Sequence, residues 1–134
     1  MMATYLWVAA GSALGGMARF WLTTAVAAVT GPAFPWGTLL INVVGSAVIG
    51  LFSALTGSAG RLSVPPEVRV FVMVGLCGGF TTFSSFSLQT LELAQAGEVL
   101  RAGAYVVASV LLCLTFVWLG YVLASGVTLT NVRP

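Results

Sequence analysis

Four long apolar runs, separated by short segments that carry the prolines and most of the charges, set the pattern of this chain. The first goes from about Ala3 to Val29 and holds Arg19. The second, Trp36 to Leu55, has no charge at all. The third, Val70 to Leu91, is also uncharged and ends near Glu92, and the fourth starts near Ala102 and fades after Leu123. A bilayer core about 30 Å thick needs about 20 mostly apolar residues per helix. The pattern therefore predicts an all-α integral membrane protein with helices over about 3–29, 36–57, 68–95 and 100–125, in a single membrane domain spanning 1–134.

Proline placement supports these boundaries, because a proline inside a helix removes a hydrogen bond and clashes with the turn before it. All five, Pro32, Pro35, Pro65, Pro66 and Pro134, fall between runs or at the end. Trp7, Trp36, Trp118 and Tyr121 lie toward span ends, where amphipathic rings favour the headgroup region. The first run superficially resembles a signal peptide, with Ala25-Val26-Ala27 as a cleavage site. It lacks a basic n-region and is too long, so it is expected to remain as a helix.

Composition reinforces the membrane reading. Hydrophobic residues make up 59% of the chain and charged residues 6%, with a mean hydropathy of +1.07; a soluble domain carries about 25% charged residues. The formal charge of +2 offers no patch for nucleic acid. Histidine is absent, and the two cysteines, Cys77 and Cys113, sit inside apolar runs as small hydrophobes. Histidine-based catalysis is excluded, and two distant cysteines lack the further ligands of a zinc site.

With four spans, the N-terminus, the second loop and the C-terminus share one side. That side has Arg61, Arg69 and Arg133, against Arg101 and the nearby Arg19 on the other. So weak a bias fits either a fixed topology or insertion in both orientations. Four helices alone enclose little, so a pore needs a second copy. The spacings Gly11/Gly15, Ser46/Gly50 and Gly75/Gly79 permit close helix contact.

The most unusual stretch is Gly78-Gly79-Phe80-Thr81-Thr82-Phe83-Ser84-Ser85-Phe86, in the middle of the third span. Glycine costs about 1 kcal/mol relative to alanine in a helix interior. Either this is a packing notch, or the helix breaks at the membrane midplane, where unwound backbone must be buried or line a cavity. Freed carbonyls at such a break can coordinate a cation. Phe83 and Phe86, three apart, share a helical face; they pack, or they present electropositive ring edges to an anion. Asn42, in hydrocarbon on the second span, needs a partner or a watery path. Arg19, the only charge well inside a span, has a structural role: it snorkels, pairs with a glutamate or binds carbonyls. Tyr105 and Ser109, four apart, extend a polar stripe on the fourth span. No Asp or Glu lies in the middle of any span, which favours passive movement of a small polar solute or anion over proton-coupled pumping.

These same residues resemble the Fluc (CrcB) family of fluoride channels. That family's third-helix motif GGxTTFSTF appears as Gly78 to Phe86, with Ser85 in place of threonine, and its second-helix motif GTLxxNxxGS matches Gly37 to Ser46. A glycine-rich approach to Arg-Tyr appears as Gly11 to Phe20, ending Arg19-Phe20, and Tyr105-x-x-x-Ser109 is similar to the fourth-helix pattern. The resemblance covers all four spans. It implies an antiparallel, dual-topology homodimer in the cell membrane, with the third helix broken and two fluoride paths. It also implies a central structural sodium, held by the backbone carbonyls of Gly78 and Thr81 from both copies. Phe83 and Phe86 would line the fluoride path with Asn42 as a donor, supported by Ser84, Tyr105 and Ser109. The implied activity is passive export of fluoride from the cytoplasm, with no enzymatic step. Rivals are a small multidrug antiporter, which needs a membrane-embedded glutamate missing from the first span, and a non-transporting subunit of a larger complex.

Overall fold

In a computed structural model, which describes residues 2–58 and 60–126, the described chain is helical throughout, with no strand. Arg133 and Pro134 lie outside the described residues. Helix α1 runs Met2–Thr30 and α2 runs Trp36–Thr56. The third rod is composite: α3 (Pro66–Arg69), a wide π-helical stretch (Val70–Cys77), α4 (Gly78–Phe80), then, after two extended residues, α5 (Phe83–Gln95). Helix α6, Val99–Ser125, is the fourth rod. Proline sets two of the starts: Pro35 precedes α2, and Pro66 opens α3, where its missing N–H would have had no partner.

Three of these rods are long and apolar enough to cross a membrane: Trp36–Thr56, Pro66–Gln95 and Val99–Ser125. The first rod differs from that expectation in composition, not length. At 29 residues it is about 43 Å long at 1.5 Å per residue. Arg19 and a scatter of glycine, serine and threonine lower its hydropathy.

Packing is backbone on backbone. Gly11 and Gly15 of α1 meet the π-helical stretch and α4: a Cβ on Gly11 would sit 2.5 Å from the Phe71 carbonyl oxygen, and one on Gly75 would sit 2.9 Å from Gly11 Cα. Contacts rise in register, Trp7 with Phe71 and Gly11 with Gly75, so α1 and the third rod run parallel. Likewise α2 and α6 run parallel, from Phe34 against Tyr105 to Gly50 against the Val117 carbonyl. Without a hydrophobic drive between helices in lipid, such small-residue seams allow the close van der Waals contact that holds a bundle together. The two parallel pairs are joined by α2, whose Gly45 lies against Thr81 at the break.

Arginine closes one end of the bundle. Arg69 Nη1 donates to the Thr56 carbonyl and, at 2.8 Å, to Thr56 Oγ1, satisfying the C-terminus of α2. The Arg61 guanidinium lies against Gly126, the left-handed cap of α6. At the other end Arg101 pairs with Glu98 at 3.5 Å.

Candidate functional site

The break is built by three side chains. Thr81 and Thr82 are extended (ψ 160° and 117°), so the helix stops after Phe80 and restarts at Phe83. Thr82 caps the restart, its Oγ1 accepting from the Ser85 N–H at 3.1 Å. Its peptide groups are claimed from another helix: Thr82 N–H donates to Asn42 Oδ1 at 2.8 Å, and Asn42 Nδ2 donates to the Thr82 carbonyl at 3.0 Å. The Asn42 amide thus substitutes for a neighbouring peptide unit, and one of its two Nδ2 hydrogens is left for another acceptor. Ser84 and Ser85 hydroxyls both lie 3.1 Å from Thr82 Oγ1, which gathers three hydroxyls at one point.

This diversion frees carbonyls. In an unbroken α-helix the Gly78 carbonyl would accept from the Thr82 N–H and the Thr81 carbonyl from the Ser85 N–H. Both donors are turned to side chains instead. The Thr81 hydroxyl is occupied by the Cys77 carbonyl at 2.9 Å, leaving the Thr81 carbonyl as that residue's open oxygen. Neutral carbonyls suit a hard cation such as sodium, so this donor set fits one. Two oxygens are fewer than such an ion takes, and a second copy would double them.

Around the break opens a cavity of about 430 Å³ on the side of the bundle. It is lined by Asn42, Gly78, Thr81, Phe83, Phe86 and Ser109, among others, and by no charged residue among those described. Phe83 is 77% exposed and Phe86 is buried, their ring centroids 5.2 Å apart. Ser109 is the notable donor. It is 6% exposed, and its Oγ is the only fully buried side-chain polar atom among the described residues with no hydrogen-bond partner. An orphaned buried hydroxyl is costly, and this one sits on the cavity wall.

Tyr105 is fully buried between Phe34 and Phe86, at ring-centroid distances of 5.3 and 5.1 Å, and its OH donates to Gln89 Oε1 at 3.0 Å. Gln89 in turn lines a second cavity, about 360 Å³, at the end of the bundle between the α1–α2 loop and α5. Phe86, backed by the buried Tyr105 and its partner Gln89, thus stands between the two cavities.

The structure brings Asn42, Phe83, Phe86, Ser109, Gly78 and Thr81 to one cavity, with Tyr105 packed behind Phe86. Ser84 joins through Thr82. Arg19 stands apart on α1, half-buried; it makes no ion pair among the described residues, and its carbonyl accepts from Thr23 Oγ1 at 2.8 Å. Phe20 is exposed on the bundle's outside. Sequence reasoning passed over Gln89. Its signal was its place three residues after Phe86 on the same helical face.

The family model described as CrcB-like protein, Camphor Resistance (CrcB), matches residues 6–121. Similar proteins include one from Methylocella silvestris, named fluoride-specific ion channel FluC, 61% identical over 123 residues, 92% of this chain and 94% of that protein. Proteins of the same name from Paramagnetospirillum magneticum and Rhodospirillum rubrum are 61% and 59% identical. They cover 92% and 96% of this chain, and 97% of each relative is matched. The match takes in the break, the cavity and both helical seams, and the chain belongs to the CrcB-like family.

Proposed function

We propose that this multi-pass membrane protein is a fluoride-specific channel that lets fluoride leave the cytoplasm passively, as an antiparallel homodimer. The observation that carries this reading is the mid-span cavity, where an orphaned hydroxyl, an amide and two phenylalanine rings meet with no charged residue among them. The high identity to proteins named fluoride-specific ion channels supports the choice of ion.

Fluoride is small and strongly hydrated, so a narrow path must replace much of its water. Ser109 Oγ–H and the remaining Asn42 N–H are neutral donors, and the edges of Phe83 and Phe86 carry partial positive charge. Such groups stabilise the anion without the deep trap that a guanidinium would form, and conduction requires release as much as binding. A cavity without carboxylate or imidazole has no group to couple the ion to a proton. Sodium, if held by the Gly78 and Thr81 carbonyls of both copies, would supply a fixed central positive charge and hold the two breaks together.

Assembly with a second copy is supported by the cavity's position. It leaves the Gly78 and Thr81 carbonyls and one Asn42 N–H open to whatever covers it. Hydrocarbon cannot satisfy those groups, whereas a second copy can.

Purified protein in liposomes tests the reading, with fluoride efflux followed by electrode and chloride as control. Selective fluoride efflux, reduced at least tenfold in Phe83→Ile and Asn42→Ala, is expected. Folded dimers that release no fluoride would leave only a helical membrane scaffold.

A further inference from the structure

Side chains at intervals of three, Phe83, Phe86, Gln89 and Glu92, form a ridge that winds about half-way round α5. The first two line the mid-span cavity, Gln89 accepts from the Tyr105 hydroxyl, and Gln89 and Glu92 line the end cavity. On the fluoride-channel reading the end cavity is the mouth of the path. Its other polar walls are neutral: Thr23 and Thr30 of α1, and Thr38 in the first turn of α2, which no side chain caps. That first turn carries the positive end of the α2 dipole and attracts an anion.

Among the described residues, Glu92 is the only charged one lining this mouth. It is exposed, and among the described residues the one ion pair is Arg101–Glu98, so no guanidinium cancels its carboxylate. Glu98 and Arg101, at the adjoining start of α6, neutralise each other. A lone carboxylate at the entrance of a low-dielectric cleft lowers the local concentration of an anion.

We infer that Glu92 is a rate-setting residue of the channel: its charge opposes the α2 N-terminus and holds fluoride entry below what the neutral mouth would admit. This rests on the fluoride-channel reading above. The same charge keeps the mouth from retaining the ion, so the site that binds fluoride is the inner one at Ser109 and Asn42.

The test is fluoride efflux from liposomes carrying the full chain, measured at two ionic strengths. At about 0.01 M the Debye length is about 30 Å, and at about 0.15 M it is about 8 Å. Glu92→Gln is expected to raise the initial rate about two- to fivefold at the lower ionic strength, and the gain should shrink toward unity at the higher one. Glu92→Lys should raise it further, while Glu92→Asp should behave as the parent does. Equal rates for Glu92→Gln and the parent at low ionic strength overturn the inference, as does a ratio that ignores salt. If the parent conducts fluoride selectively in those experiments, only the inference falls; if it does not conduct, both fall.

Discussion

Asn42 and Ser109 face the same cavity, yet their hydrogen bonding separates two kinds of residue. Asn42 holds both peptide groups of Thr82, so Asn42→Ala leaves a buried N–H and a buried carbonyl without partners. Each such loss costs about 1–3 kcal/mol. Ser109 Oγ has no partner to lose. Ser109→Ala is therefore expected to leave the melting temperature unchanged or raise it slightly while slowing fluoride efflux, whereas Asn42→Ala lowers both. Melting in detergent alongside efflux checks the pair, and a fall in stability for Ser109→Ala would mean that its hydroxyl has a structural partner. The sequence marked Asn42 as a polar residue that needed a partner, but not which one. Its partner is a backbone 40 residues away, and nothing about Thr82 as a residue type advertises an unpaired peptide.

Each small-residue spacing is weak in a sequence, because such spacings occur by chance in membrane helices. Two of them acquire meaning together: Gly11/Gly15 on α1 lies against Gly75/Gly79 on the third rod. A Cβ on Gly79 would sit 2.6 Å from the Ser12 carbonyl oxygen, so this glycine serves the seam. The sequence marked the break by two glycines followed by two threonines; Gly78–Phe80 is still helical, and the extended residues are the threonines, Thr81 and Thr82. The offset has a physical cause. The two threonines are β-branched and suit extended backbone, Thr82 caps the next helix, and Asn42 satisfies the peptide that the break exposes. Helix ends were legible because prolines mark them. The π-helical widening of Val70–Cys77 was not, since its apolar residues fit either helical pitch. Gly75→Val should abolish recovery of folded protein, because the obstacles to its side chain are the Gly11 Cα and the Val8 carbonyl, and backbone cannot step aside as a rotamer can. Size-exclusion recovery after mild solubilisation measures this; normal recovery would show that the α1 seam can open without loss of the fold.

At the scale of the whole molecule, Gly78 poses a question that one chain does not answer. It stands within the third span, where glycine costs about 1 kcal/mol relative to alanine, yet a Cβ there would meet nothing within 4 Å. Gly103 on α6 is equally uncrowded, but it does not line the mid-span cavity, whereas Gly78 does. If a second copy closes over the cavity, the space beside Gly78 is filled by the partner, and a methyl added there enters a two-fold interface twice. Gly103 lies about two turns before the cavity-lining Val110, outside the cavity itself, and gains only helix propensity. Gly78→Ala is therefore expected to shift the population in lipid from dimer toward monomer and to stop fluoride efflux, while Gly103→Ala leaves both unchanged or slightly raises stability. Energy transfer between differently labelled copies in liposomes reads the association directly. Undiminished transfer for Gly78→Ala would place the partner elsewhere on the bundle, and the Gly78 and Thr81 carbonyls of two copies could not then share one ion. A loss confined to Gly78→Ala would tie assembly and the helix break to the same few atoms.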